Sequence, residues 1–516
     1  MTWDAERPGG RRRGRIGLLL GAAACLAVLV APAPEGLSLP AWRTAGVALL
    51  MAVWWVTEAI PIPATGLVPL VVIPLLGIGS IDEAARPFAN PIIFLLLGGF
   101  LLALSMERWG LPRRIALRTI GALGHRPSAV MAGFMMASAF LSMWVSNTAT
   151  AMMMLPIGLS VIELTKRETA PDEESPARER QSANFATGLM LAIAYSCSIG
   201  GLGTIVGTPP NAFAVAFLRE NYGIDIAFAR WMAFALPVVA IGLVVTYLVL
   251  TRVSFPMGDL RIPGGREFIH DQLAELGPIS TPEKRVSLVF ALTALLWVSR
   301  PLLANLLPGI SDAGIAVGAG LLLFMLPSGT GKTSGTGRTP GAGRTSGTGR
   351  GERLLSWRSA ERLPWGTLLL FGGGLSLASA FQRTGLTTWV GSAMEGFGGW
   401  PSILVVMAIT TVMILLTELT SNTATSAAFL PVVGAVAIGI GQNPLLLTVP
   451  AALAASCAFM LPVATGPNIV VYGSGAITIP QMVRAGALLN VAFVALITLA
   501  TFLFMALVFG PGTAVS

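Results

Sequence analysis

Two copies of the same polar pentapeptide interrupt this apolar chain. The sequence Ser-Asn-Thr-Ala-Thr occurs at residues 146–150 and again at 421–425. An asparagine amide offers an oxygen to a cation and an NH₂ group to a carboxylate, and serine and threonine hydroxyls add further donors and acceptors. Polar groups in apolar surroundings cost free energy unless they find partners. The two copies therefore indicate binding of small ions rather than simple solvation.

A glycine- and proline-rich element follows each copy. The first reads GGLGTIVGTPPN, residues 200–211, and the second reads PVATGPNIVVYGSG, residues 462–475. Such elements break a helix and leave unpaired carbonyls on one side and unpaired N–H groups on the other. The carbonyls suit a dehydrated cation such as Na⁺, and the N–H groups suit an anion. The alternative is that these small polar residues merely satisfy the backbone and let helices pack closely.

Composition indicates an all-α polytopic membrane protein. The 516 residues are 54% hydrophobic and 11% charged, with a mean hydropathy of +0.75, whereas soluble domains are about 25% charged. Most of the chain consists of apolar stretches of about 17–25 residues, the length that crosses a bilayer. The three cysteines, Cys25, Cys197 and Cys457, show no disulfide or zinc spacing and are expected to be small core residues.

The apolar runs predict 11 spans and two re-entrant hairpins. The hairpins are 128–164 and 400–440, each too long for one span. The expected spans are 16–32, 41–60, 64–80, 90–106, 184–218, 231–251, 285–307, 312–327, 364–382, 447–475 and 483–510, of which 184–218 and 447–475 are broken helices.

The distribution of basic residues supports this topology. With the N-terminus in the cytoplasm, the expected inside segments hold 27 of the 33 Lys and Arg residues: 1–15, 107–127, 165–183, 252–285, 328–363 and 476–484. Basic residues favour cytoplasmic loops, so the net charge of +8 indicates membrane orientation rather than nucleic-acid binding. We therefore expect a multi-pass cell-membrane protein with its C-terminus outside.

Two segments allow competing interpretations. Four arginines precede the apolar run 16–30, which is followed by APAPEG, so this region is either a signal peptide or a first transmembrane helix. We favour the helix, because the topology is consistent with it. The segment 328–351 contains GTGKTS, but Leu326 stands where a phosphate-binding loop needs glycine. We interpret it as a flexible linker between two halves.

The two halves are internal repeats. The segments LLLGGFLLALSMERWGL and LFGGGLSLASAFQRTGL, ending at Leu111 and Leu386, lie 275 residues apart, as do the pentapeptides. The topology puts Arg108 inside and Arg383 outside, which predicts inverted repeats. The expected organisation is a tail with three helices at 1–89, a first repeat at 90–251, connecting scaffold helices at 252–327, a linker at 328–363 and a second repeat at 364–516.

Few ionisable residues accompany these elements. Glu58 and Glu418 lie in or near apolar spans and either relay protons or hold helix ends, and we favour the second role. His125 and His270 lie in loops, and no His or Cys cluster falls within a span. An enzyme is therefore not expected. Inverted hairpins with a midplane site also favour alternating access over a channel.

The chain resembles the divalent anion/sodium symporter family from about residue 41 to 510. The resemblance is carried by WWVTEAIPIPATGLVP, NPIIFLLLGGFLLA, MWVSNTATAMMMLPIG, IGGLGTIVGTPPN, TELTSNTATSAAFLPV and CAFMLPVATGPNIVVYGSG. It implies import of di- or tricarboxylates such as succinate, malate, fumarate or citrate, driven by sodium through an elevator motion in a homodimer embedded in lipid. The alternative within the family is sodium-independent dicarboxylate exchange or sulfate transport.

The resemblance also implies residue roles. The first sodium site would use Ser142, Ser146, Asn147 and the Gly200 loop, and the second Thr417, Thr420, Asn422 and Ala464. The substrate would meet Ser146, Asn147, Thr148, Ser421, Asn422, Thr423, Thr465 and Gly466. Gly466 stands where the family usually has proline. We expect it to loosen the backbone there and to influence substrate choice.

Overall fold

The fold is entirely helical in the part of the chain that the structure describes. This computed structural model describes residues 8–123, 126–167, 176–258, 260, 265–329, 352–397 and 399–510. The helices are α1 Pro8–Val30, α2 Leu39–Thr57, α3 Ile62–Thr65, α4 Val68–Leu75, α5 Ile81–Ala85, α6 Pro91–Arg108, α7 Leu111–Leu123, α8 Pro127–Ser142, α9 Asn147–Arg167, α10 Pro176–Gly201, α11 Pro209–Tyr222, α12 Phe228–Leu248, α13 Gly265–Glu275, α14 Thr281–Leu303, α15 Asp312–Met325, α16 Trp357–Ala360, α17 Trp365–Thr384, α18 Leu386–Ala393, α19 Ser402–Leu419, α20 Asn422–Gly439, α21 Pro444–Ala454, α22 Gly466–Tyr472 and α23 Ile479–Phe509. Within these ranges, nine helical segments are long and apolar enough to cross a membrane.

Each of the two runs predicted as hairpins forms a pair of helices in contact. In the first hairpin, α8 and α9 are joined by residues 143–146, and in the second, α19 and α20 are joined by residues 420–421. The polar pentapeptides therefore lie at the turns, where the helical hydrogen-bond ladder stops. Both runs predicted as broken helices are interrupted, at 202–208 (the first break) and at 455–465 (the second break).

The run 64–80, which we expected to be one span, is instead divided into α3 and α4. The division falls at Gly66, where an added Cβ would come 3.0 Å from backbone atoms of both Leu369 and Leu370 in α17. A Cβ built at Gly373 would come 1.9 Å from the Gly66 carbonyl oxygen. Two glycines thus allow the backbone at the end of α3 to touch that of α17. The helix is interrupted between α3 and α4, where this contact forms.

The two halves repeat the same order of elements. Helices α6–α12 correspond to α17–α23, with the paired helices and the broken helix at equivalent places. The halves also pack reciprocally, because α9 contacts α22 while α20 contacts α11. Each hairpin therefore rests on the broken helix of the other half, and residues far apart in sequence meet at the breaks.

Helix α1 packs closely against α2. Cβ atoms built at Gly17 and Gly21 would clash with the side chains of Thr57 and Trp54. The Trp54 indole N–H also donates to the Leu18 carbonyl at 3.3 Å. The run at 16–32 thus forms a helix that packs closely against α2 through small residues.

Candidate functional site

The turn of the first hairpin places Asn147 against a buried hydroxyl. Helix α8 ends at Ser142 and α9 begins at Asn147. The Ser142 hydroxyl, which is fully buried, donates to Asn147 Oδ1 at 2.5 Å. Asn147 and Thr148 are half-buried and Ser146 is exposed. The turn therefore leaves the side chains of Ser146, Asn147 and Thr148 accessible, and the buried Ser142 hydroxyl orients the Asn147 amide.

The second hairpin repeats this geometry at the same spacing. The buried Thr417 hydroxyl lies 2.7 Å from Asn422 Oδ1 and 2.7 Å from the Ala455 carbonyl oxygen in the second break. Thr420 Oγ1 lies 2.5 Å from Thr425 Oγ1. Ser421 and Thr423 are half-buried on the same turn. Both predicted asparagines thus occupy equivalent positions, each fixed by a hydroxyl five residues earlier.

Two further asparagines hydrogen-bond to the backbone of the two breaks. The sequence predicts no role for either of them. Asn211 Nδ2 lies within 3.1 Å of the carbonyl oxygens of Gly201, Leu202 and Thr204. Asn468 Nδ2 donates to the carbonyls of Ala458 and Leu461, at 3.1 and 3.0 Å. Each amide satisfies carbonyls that the missing helical turn leaves unpaired. Both asparagines end the same motif, Thr-Pro-Pro-Asn or Thr-Gly-Pro-Asn, which is the signal that could have identified them.

The hydrogen bonds of Asn211 and Asn468 align the two breaks residue by residue. The acceptors lie ten and seven residues before Asn211 and before Asn468, so Thr208 corresponds to Thr465. By this register Ala464 corresponds to Gly207, whereas Gly200 corresponds to Cys457. Gly207, which lies within the predicted Gly200 loop, is therefore the residue of the first half that is equivalent to Ala464.

The first hairpin meets the first break at Gly201. A Cβ built there would lie 2.7 Å from Asn147 Oδ1 and 3.2 Å from the Gly207 carbonyl oxygen. Gly200, the predicted residue, instead packs on the backbone of Ala139 in α8. The amide oxygen of Asn147 and the carbonyl of Gly207 therefore flank one small space, and Gly200 and Gly201 allow the helices to approach closely enough to form it.

Contacts between the halves place Thr148 against Gly466 and join the two breaks. Thr148 of the first hairpin lies directly over Gly466 at the start of α22. The hydroxyls of Thr208 and Ser456 lie 3.2 Å apart and join the two breaks. Thr465 is buried, and its hydroxyl accepts from the Asn468 backbone N–H at 3.3 Å, so it caps α22.

Glu418 holds the backbone of the second break. Its carboxylate accepts from the backbone N–H groups of Phe459, Met460 and Leu461 at 2.8–3.0 Å and from Asn490 Nδ2 at 2.8 Å. This geometry agrees with the structural role favoured from sequence. Glu58 ends α2 in the left-handed region (φ 50°), and its backbone N–H donates to the Trp54 carbonyl.

The donor set of the site is neutral oxygen. Residues 142–148, 200–211, 417–423 and 455–468 contain no Lys, Arg or His, and Glu418 is their single acidic residue. Among the described residues, no group of three His, Cys, Asp or Glu side chains could hold a metal ion. Amide, hydroxyl and carbonyl oxygens suit a hard cation. His125 lies outside the described residues, and His270 lies on α13, away from these segments in sequence.

A family profile and similar proteins place the chain in one family, and a solved structure resembles its fold. A family profile described as the sodium:sulfate symporter transmembrane region matches residues 14–510. Sodium-dependent dicarboxylate transporter SdcS proteins from Staphylococcus aureus strains USA300 and MRSA252 are each 40% identical over 498 residues, covering 96% of this chain and 92% of the relative. The crystal structure of the Alcanivorax borkumensis YdaH transporter resembles the fold, with a TM-score of 0.56 and 12% identity over 92% of this chain and 99% of that one. This chain therefore belongs to the sodium:sulfate symporter family, the divalent anion/sodium symporters.

Proposed function

We propose that this protein imports di- or tricarboxylates together with sodium ions across the cell membrane. The observation that carries the proposal is the paired arrangement of Asn147 and Asn422. Each asparagine lies at a hairpin turn, is oriented by a buried hydroxyl, and neighbours a broken helix. The 40% identity to sodium-dependent dicarboxylate transporters supports the choice of substrate.

The sodium ions would bind at the two asparagine oxygens. Ser142, Ser146 and Asn147 would provide the first site, together with the carbonyls of the Gly200–Gly207 loop. Thr417, Thr420, Asn422 and Ala464 would provide the second. The Ser142 and Thr417 hydroxyls now donate to the amide oxygens. They can turn their lone pairs toward a cation instead, because a hydroxyl rotates freely about its C–O bond.

The carboxylate substrate would lie between the two turns. Asn147 and Asn422 would donate through Nδ2, and the hydroxyls of Ser146, Ser421 and Thr423 would add donors. Thr148, Thr465 and Gly466 would form the wall toward α22. Since these segments contain no basic residue, the negative charge of the substrate must be balanced by the co-bound sodium ions. Binding of anion and cation would then be coupled by electrostatic attraction in a low-dielectric site.

Coupling to sodium also fits the energetics of import. A dianion entering a cell with a negative interior works against the membrane potential at about 2.3 kcal/mol per charge per 100 mV. Two co-transported sodium ions would cancel the charge of a dianion, so the membrane potential would no longer oppose import and the sodium gradient would drive it inward. We propose a cytoplasmic N-terminus, an outer C-terminus, inverted repeats and an elevator motion of the hairpins and broken helices in a homodimer. The bias of 27 of 33 basic residues to one side supports the orientation.

Uptake into liposomes tests the proposal. Purified protein should accumulate labelled succinate in a Na⁺ gradient and lose this uptake when choline replaces Na⁺. Uptake that is unaffected by choline, or that requires preloaded internal succinate, would contradict symport and indicate exchange. The description of the family profile names sodium:sulfate symport, so uptake of labelled sulfate should be measured in parallel. Sulfate uptake without succinate uptake would overturn the choice of substrate.

A further inference from the structure

Gly466 provides space rather than backbone freedom. It is the first residue of α22, and its φ does not lie in the left-handed region that favours glycine. A Cβ built at Gly466 would lie 1.9 Å from Thr148 Oγ1 and 2.9 Å from Thr148 Cβ. Contacts this short do not occur between real atoms, so any other residue would displace Thr148. The absence of a side chain at residue 466 thus creates a recess that Thr148 fills.

The recess has no equivalent at the corresponding position of the first half. The register of the two breaks pairs Gly466 with Pro209, and the 275-residue offset pairs Thr148 with Thr423. A proline ring therefore stands in the first half where the second half has an open position. The two sides of the site are not interchangeable, and the difference lies in one residue beside a turn that carries Asn147.

We propose that the Gly466 recess determines substrate specificity, and this inference rests on the function proposed above. With its side chain seated over Gly466, Thr148 leaves room in the site for anions that carry a substituent between their two carboxylates. Both residues are half-buried, so they border accessible space. A side chain at residue 466 would push Thr148 into that space and exclude substituted dicarboxylates and tricarboxylates, while unbranched succinate would still fit.

Competition against labelled succinate uptake tests the recess in proteoliposomes that contain the full-length protein. The competitors are unlabelled succinate, methylsuccinate and citrate. For Gly466→Ala, the half-inhibiting concentrations of methylsuccinate and citrate should rise at least about tenfold relative to that of succinate, which is the scale for one methyl group in a close-fitting pocket. The double variant Gly466→Ala/Thr148→Ala should restore the wild-type ratios. Gly318→Ala is the control, because a Cβ there meets nothing within 4 Å.

The outcomes separate this inference from the proposed function. Failure of the wild type to take up any of these acids would refute the proposed function. If the wild type transports succinate but Gly466→Ala weakens all three competitors equally, or changes none, the recess does not set specificity. If Gly466→Ala does not elute as a folded protein, Thr148→Ala alone decides: it should raise the relative affinity for citrate, and an unchanged citrate-to-succinate ratio would overturn the inference.

Discussion

Replacing Glu418 by glutamine tests whether the second break must be held in place. The carboxylate accepts four hydrogen bonds, from the N–H groups of Phe459, Met460 and Leu461 and from the amide of Asn490. Three of them reach Oε1 and the one from Leu461 reaches Oε2. A glutamine can keep the three bonds to its single oxygen, but its NH₂ group would then face the Leu461 N–H.

The expected magnitude follows from these contacts. A buried donor left without an acceptor costs about 1–3 kcal/mol, so Glu418→Gln should destabilise the protein by about that amount. Alanine would leave three backbone N–H groups unpaired, a loss of about 3–9 kcal/mol, comparable with the whole stability of a typical domain. Glutamine is therefore the informative variant, since the alanine variant is not expected to fold.

Two measurements on Glu418→Gln test whether the carboxylate holds the second break in place. The unfolding temperature in detergent should fall, and the sodium concentration that half-activates succinate uptake should rise, because the loosened break carries the Ala464 carbonyl proposed for sodium. Glu361→Gln, at an exposed position, should change neither quantity. Wild-type stability together with wild-type sodium activation in Glu418→Gln would refute the role assigned to this carboxylate.

Four further changes have defined outcomes. Asn147→Ala and Asn422→Ala should each abolish sodium-dependent succinate uptake while the protein still elutes as a folded species, and normal uptake in either would place the site elsewhere. Gly373→Ala puts a Cβ 1.9 Å from a backbone oxygen and should cost at least about 1–3 kcal/mol, seen as a lower unfolding temperature, whereas Gly318→Ala should not; equal effects would contradict the packing argument. Replacing 330–351 by a four-residue Gly-Ser turn should leave uptake unchanged, because the Ser328 N–H donates to the Glu352 carbonyl at 2.6 Å and the two ends already meet; loss of uptake would assign the linker a direct role.

Much of the fold could be predicted from the sequence because membrane helices follow apolar length. The paired helices of 128–164 and 400–440 were predictable from runs that were too long for one span. The division of 64–80 was not, because it depends on contact between Gly66 and α17, about 300 residues away in sequence. A hydropathy pattern reports the length of a run but not which backbones touch.

The candidate site is easier to predict in its residue types than in its register. The repeated pentapeptide predicts Asn147 and Asn422 as binding residues, which stays a prediction, and the structure gives both asparagines matching hydroxyl partners. The pairing of Ala464 with Gly207 depends on the hydrogen bonds of Asn211 and Asn468, which are tertiary contacts. The sequence suggested that Gly466 loosens the backbone, whereas the structure shows an ordinary helical start with a neighbour packed over it.

The reciprocal packing of the two halves has a consequence for biosynthesis. Helix α9 needs α22 as its partner, and α20 needs α11, so the first hairpin cannot complete its contacts until the second half has been made. Gly466, which Thr148 contacts, is synthesised about 320 residues after Thr148. At about 5–20 residues per second, this interval is roughly 15–65 s. During this interval the polar turn at residues 146–150 would sit in the membrane without its partner. Assembly of the candidate site is therefore among the last events in making this protein, and separately expressed halves should become competent for uptake only when they are present together.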